Sequence, residues 1–314
     1  MNGSSLSLPL RPQAPLLATP LERVTSLRPL RPRAEGLEVL AQQLMGYWQR
    51  WRSPVAELAQ QGQASLRACD ALSICTDEAL QERLKALRSQ LRLDPVTGKG
   101  VLVQTLGCVG QMALRHLGLK PYPVQFMGAL ALHRGLLAEM ATGEGKTLTV
   151  GLAGVLAGFT GRTCHIITAN DYLAQRDAQE MARLYDACDL SVSSIVTTME
   201  QPERALHYAA DVVYLTAKEL LADYLRDEMG SGARGQRRQA AFQAWLNGGA
   251  EAQASGRVLV RGVHTAIVDE ADSILIDEAV TPLILSAPRE SRSLAEAVLL
   301  VSRLADTLVE GEDY

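Results

Sequence analysis

Two stretches of this 314-residue sequence carry side chains that can do chemistry. The first is Ala138-Glu139-Met140-Ala141-Thr142-Gly143-Glu144-Gly145-Lys146-Thr147-Leu148-Thr149-Val150. Gly143 and Gly145 let a backbone bend tightly and bring its N–H groups close to phosphate oxygens. A helix opening after the turn adds the partial positive charge of its N-terminus. Lys146 can reach the β- and γ-phosphates of a nucleotide, and the Thr147 hydroxyl can take a place on Mg2+. The strict phosphate-loop pattern opens with glycine where this chain has Met140, so the match is to a variant of it. Taken alone, the stretch favours a nucleotide, against the alternative of a glycine turn between a strand and a helix that holds no ligand.

The second stretch is Ala266-Ile267-Val268-Asp269-Glu270-Ala271-Asp272. An apolar strand here delivers two carboxylates at its carboxyl end, where a cation facing a phosphate loop must be held. Asp269 is the candidate Mg2+ holder, directly or through water. Glu270 is the candidate general base for the attacking water. A strand end that simply faces solvent would look similar. Two matches at the ends of strands in one predicted sheet favour an ATP·Mg2+ site.

The surrounding pattern supplies elements to position both stretches. From Pro123 onward, helices alternate with short β-branched strands, expected at Leu136–Met140, Cys164–Thr168, Ser191–Val196, Asp211–Thr216, Ala266–Asp269 and Leu283–Ser286. Helices are expected at Val124–His133, Lys146–Phe159, Asp171–Asp186, Gln201–Tyr208 and Ala217–Glu228. Crossover helices between strands imply a parallel sheet covered on both faces, with ligands at the carboxyl ends of the strands. The fold class expected is α/β, a RecA-like parallel sheet preceded by a helical N-terminal region. The domains expected are a basic arm over 1–36, a helical region over 37–120, the RecA-like domain over 121–290 and a C-terminal helix within 291–314. In the helical region, apolar spacing predicts helices over 37–60, from Thr76 as cap to about Leu91, and over 100–116. Trp48 and Trp51 read as core packing. Glycine-rich segments around 229–256 mark a surface insertion.

The arm carries Arg11, Arg23, Arg28, Arg31 and Arg33 against Glu22 and Glu35. Its composition suits a solvated tail, an anchor for acidic lipid or a partner protein, or an imperfect transit peptide. The whole chain has a formal net charge of −4, which gives no global reason to expect nucleic-acid binding. Five cysteines without metal-ligand spacing suit a reducing cytoplasm. The apolar run from Leu148 to Phe159 is too short for a membrane span and reads as a buried helix.

With these residues in view, the chain resembles the SecA preprotein translocase ATPases. The loop Ala141–Thr147 is the helicase-type form of the phosphate loop. Thr168-Ala169-Asn170-Asp171-Tyr172-Leu173-Ala174-Gln175-Arg176-Asp177 and Asp223-Tyr224-Leu225-Arg226-Asp227 are similar to two further family motifs. The run Asp269–Ala279 followed by Thr281-Pro282-Leu283-Ile284-Leu285-Ser286 is close to diagnostic, because DEAD-box RNA helicases share only its first acidic residues. The resemblance covers about residues 76–310. It implies that Gln125 contacts adenine, and that Thr142, Gly143, Glu144, Gly145, Lys146 and Thr147 hold ATP. Thr147 and Asp269 then hold Mg2+, while Lys146, Asp269 and Glu270 are the catalytic residues. It further implies preprotein substrates, a SecYEG-like membrane channel, peripheral contact with the cytoplasmic membrane and room for a homodimer. Tyr172, Leu173 and Leu225 are expected to pack; Asn170, Asp171 and Arg176 either cap and pair locally or couple the site to movement.

Departures from the family are visible too. Val280 replaces the usual arginine, and Leu215-Thr216-Ala217-Lys218-Glu219 replaces a Gly-Thr-Asn-Asn-Glu stretch. Too few residues follow Asp272 for a second RecA-like domain, which needs about 150. Such a domain brings an arginine finger in the family, so the chain alone is expected to hydrolyse ATP slowly. The rival readings are a short SecA-like binding or regulatory module, and half of a DEAD-box-like RNA helicase.

Overall fold

The computed structural model describes residues 39, 54–93, 98–230, 259–260, 262–277 and 292–305. The chain divides into two units, Met1–Val280 and Thr281–Tyr314. In the first, helices α1 (Val55–Ala71), α2 (Asp77–Leu93), α3 (Lys99–Leu117) and α4 (Pro123–His133) precede the sheet. The order then runs α5 (Lys146–Phe159), β1 (Cys164–Thr168), α6 (Asp171–Ala187), β2 (Val192–Ser194), α7 (Gln201–His207), β3 (Val212–Thr216), α8 (Ala217–Gly230), β4 (Thr265–Val268) and a π-helical turn (Ser273–Asp277). The second unit contributes α9 (Arg292–Ala305), which leaves Val298, Leu299, Leu300 and Val301 exposed.

The sheet is four-stranded and parallel throughout, in the order β2-β3-β1-β4. Its central strands are buried at every position or nearly so, as a sheet covered on both faces requires. Cys164, Ile166, Val212, Tyr214 and Ile267 point into the larger core, against α5 and α6. Every residue from Leu148 to Phe159 is buried, so α5 is an interior helix as its composition predicts. It lies so close to α6 that a Cβ on Gly154 would meet the Tyr185 hydroxyl. Helices α1 to α3 extend this core outward behind α5 and α6. Ile167, Val213 and Leu215 face the other way, onto a smaller core with Tyr208, Leu220, Leu259, Val260 and Ile274. The architecture is an α/β parallel sheet flanked by helices, behind a helical N-terminal region, as a RecA-like fold requires.

Three expectations need correction. Leu136–Met140 forms no sheet pairing. Helix α4 ends in a turn at Gly135 (φ 71°), with the Leu136 N–H bonded back to the Ala131 carbonyl. The chain then leaves along the surface, with Leu137 85% exposed, and no neighbouring backbone supplies a ladder among the described residues. Tyr172, expected to pack, is 71% exposed. Finally, the helix expected over 37–60 is described from Val55 and continues to Ala71. Its buried face is Leu58, Gln61, Gly62, Ser65 and Cys69, a small and polar stripe that an apolar-spacing rule cannot see. Gln61 is buried because Arg134 donates to it at 2.7 Å while it donates to Glu57 at 3.0 Å.

Strands β1 to β4 otherwise match the expected positions within one or two residues. The remaining strand Leu283–Ser286, Trp48, Trp51, Val280 and most of the 229–256 insertion lie outside the described residues.

Candidate functional site

The glycine loop joins the unpaired segment 136–140 to α5. Gly143 (φ 89°) and Gly145 (φ 79°) occupy the left-handed region that side chains avoid, so the turn needs glycine at both positions. Gly145 is also the N-cap of α5, and no side chain caps this helix. The first-turn N–H groups of α5 have no intrahelical carbonyl to bond, which leaves them for an anion. Lys146 is exposed and Thr147 half-buried at that end.

Glu144 closes the loop from within. Its carboxylate accepts the Ala141 N–H at 3.0 Å, and its own N–H donates to the Ala141 carbonyl at 3.3 Å. Gln125, buried near the start of α4, ties this turn to the helix. Its Nε2 donates to the Glu144 carbonyl at 2.9 Å, and its Oε1 accepts the Tyr122 N–H at 2.9 Å. Gln125 and the loop are therefore neighbours, and the amide is engaged through both its oxygen and its nitrogen.

The carboxylates sit past the end of β4. The Asp269 N–H donates to the Ile167 carbonyl at 2.9 Å, extending the ladder one residue beyond the strand. Its Oδ1 accepts the Glu270 N–H at 3.1 Å. Burial raises the Asp269 carboxyl above the ordinary carboxylate range, and the charges of Glu270 and Asp177 add to the rise. The Glu270 N–H and the Lys146 ammonium oppose it. Lys146 is thus the smallest contributor among the charges that Asp269 feels. Glu270 is exposed and has φ 55°, a positive value rare for a residue with a side chain. Among the described residues, no three His, Cys, Asp or Glu side chains converge to hold a metal by themselves.

The other motif residues make contacts within the frame. Asn170 caps α6, its Oδ1 accepting the Leu173 N–H at 2.9 Å. Asp171 accepts the Thr197 N–H at 2.8 Å, joining the ends of β1 and β2. Arg176 pairs with the buried Asp177. Asp223 is fully buried and accepts from Arg204, Tyr208 and Arg226. Asp227 accepts the Leu259 and Val260 N–H groups at 2.9 and 2.8 Å, pinning the segment that leads into β4. Sequence reasoning missed Arg204 and Asp177. An arginine amid the polar residues of α7 gives no sign of burial, whereas Asp177 stood inside a motif and was open to notice.

The sheet order, the glycine turn opening α5 and the carboxylates beyond β4 define a RecA-like domain of the DEAD type. The chain belongs to the SecA DEAD-like domain family, whose model matches residues 42–313. It is similar to protein translocase subunit SecA 2 of Magnetococcus marinus, 49% identical over 283 residues, covering 90% of this chain and 44% of the relative. It is also similar to protein translocase subunit SecA 2 of Chlorobium chlorochromatii, 39% identical over 267 residues, covering 84% of this chain and 40% of the relative. Protein translocase subunit SecA of Neorickettsia sennetsu is 37% identical over 235 residues, covering 74% of this chain and 26% of the relative. The chain spans less than half the length of these curated relatives. Among the described residues, no helix is long and apolar enough to cross a membrane.

Proposed function

We propose that residues 121–290 are the ATP-binding domain of a SecA-like translocation motor, with 37–120 as its helical buttress and 291–314 as the start of a further region. The observation that supports this reading is the uncapped, glycine-turned start of α5 that carries Lys146, with Asp269 just past the end of β4. Bound ATP·Mg2+ supplies the phosphoanhydride bond and the cation that offsets its charge. The N–H groups opening α5 and Lys146 bind the phosphate chain, Thr147 and Asp269 hold the cation, and Glu270 takes the proton of the attacking water. The whole motor acts on preproteins at a SecYEG-like channel on the cytoplasmic face of the membrane, with acidic lipid as a peripheral contact. Its relatives carry the name protein translocase, and their greater length leaves room for the second half of an ATPase site.

Titration of the purified chain with a fluorescent ATP analogue tests the binding step. Saturable binding strengthened by Mg2+ is expected, with Lys146→Ala and Asp269→Asn each weakening it at least tenfold. Equal affinity in wild type and both variants would refute the site. Glu270→Gln is expected to keep binding and to remove whatever slow hydrolysis the chain shows.

A further inference from the structure

A phosphate loop works by turning backbone N–H groups toward one point, where an oxyanion accepts them. In this chain part of that capacity is turned inward. The Glu144 N–H donates to the Ala141 carbonyl at 3.3 Å, and the Glu144 carboxylate accepts the Ala141 N–H at 3.0 Å. Residues 141 and 144 are thus closed on each other in both directions, across Gly143 with its φ of 89°. A backbone N–H carries one hydrogen, and the one on Glu144 points at Ala141. One side of the turn is fixed, because a Cβ placed on Gly145 would overlap the Gln125 amide nitrogen. The other side is open. Among the described residues, nothing lies within 4 Å of a Cβ placed on Gly143, so the turn has room to swing.

The Glu144 side chain is the odd member of this arrangement. It is the only carboxylate between Ala141 and Thr147, in a loop that reads as a polyphosphate cradle. Its negative charge opposes such a ligand, and a backbone N–H is what this position has to offer a phosphate. What the carboxylate does is hold Ala141 through a charge-assisted bond, which is stronger than a neutral one. We propose that Glu144 is a latch: its carboxylate keeps the loop closed on Ala141, and a polyphosphate binds after that pair has opened. The latch regulates the nucleotide site and rests on that reading of it. It lowers the apparent affinity by the fraction of molecules in which the loop is open.

A carboxylate that acted by charge alone would behave differently, and two variants separate the cases. Glu144→Gln removes the charge and keeps an oxygen for the Ala141 N–H, whereas Glu144→Ala removes both. Affinities for ATP and inorganic triphosphate with Mg2+ are measured in wild type and both variants, at low salt and at about 1 M, where charges are screened beyond about 3 Å. Exchange of the Ala141 amide is followed without nucleotide. Glu144→Ala is expected to bind both ligands about threefold or more tighter than wild type, from one hydrogen bond lost by the closed loop. That gain should persist at high salt, the gain in Glu144→Gln should be smaller, and the Ala141 amide should exchange faster in Glu144→Ala. Equal gains in both variants that vanish at high salt, or unchanged exchange of Ala141, would overturn the latch. Binding by wild type with no gain in Glu144→Ala would sink the latch alone. If neither protein bound either ligand, the nucleotide reading would fail and the latch with it.

Discussion

Asp223 offers the sharpest test of whether the second family motif serves scaffold or chemistry. Its carboxylate is completely buried, with Oδ2 accepting from Arg204 at 2.9 Å and from the Tyr208 hydroxyl at 3.0 Å, and Oδ1 from Arg226 at 2.7 Å. The Arg204 side chain is 4% exposed and pairs with Glu219 as well. Its remaining N–H groups are taken by the carbonyls of Met199, Val196 and Thr197. Asp223→Ala removes one of two counter-charges from a buried guanidinium and leaves the Tyr208 hydroxyl without an acceptor. Breaking a buried pair costs about 3–5 kcal/mol, and the surviving Glu219 puts the expected loss near the lower end. Asp223→Asn keeps the shape but turns an amide N–H toward a donor, so about 1–3 kcal/mol is expected. Urea denaturation at pH 7, followed by circular dichroism with unchanged slope, reads both values. Nucleotide affinity per folded molecule should stay constant. A loss under about 1 kcal/mol for Asp223→Ala, against a buried-pair cost of several, would refute the network's structural weight. Reduced affinity in fully folded protein would show that the motif belongs to the site.

Two further outcomes follow from the same geometry. Gly143 and Gly145 both have positive φ, worth about 1–2 kcal/mol against alanine, but only Gly145 is crowded. Gly145→Ala should therefore destabilise the loop and weaken ligand binding more than Gly143→Ala, and equal effects in melting and titration would contradict the close approach of Gln125. His165 lies buried on β1 beside the Tyr208 ring, with Nδ1 unpartnered, and burial pushes it down to about 4 despite a bond with the Thr265 backbone. A base with a depressed folded pKa is neutral in the fold and takes a proton on unfolding. Stability is therefore full above its unfolded value near 6.5 and falls as pH drops toward 4, by about 3 kcal/mol over that window. His165→Leu should flatten the pH dependence in that range, as measured by urea midpoints from pH 4 to 7.5.

Much of the frame was legible because its signals are local. A run such as Cys-His-Ile-Ile-Thr between helical stretches marks a buried parallel strand by composition alone. Asn170 announces a helix start, since its short carbonyl reaches an N–H three residues on. The sites where local reading failed depend on distant partners. Tyr172 looks like core but is exposed, because nothing in a sequence says which side of α6 the sheet will cover. Residues 61–71 look indifferent, yet Gln61 and Ser65 are buried because Arg134 and neighbouring carbonyls satisfy them. Segment 136–140 has strand composition, but a strand exists only where another backbone lies alongside.

By itself, the sequence determined the kind of loop, the strand that carries Asp269 and Glu270, and the family to which both belong. Those features depend on residue type at fixed spacing, and spacing survives without a fold. The tertiary structure alone decided that Lys146 and Asp269 share one electrostatic neighbourhood. It alone decided that Asp223 and Asp227 find buried partners within the frame and that the Gln125 amide bonds the loop it borders. A hydrogen bond has no meaning until donor and acceptor are brought within about 3 Å, and only the packing of helices on the sheet does that.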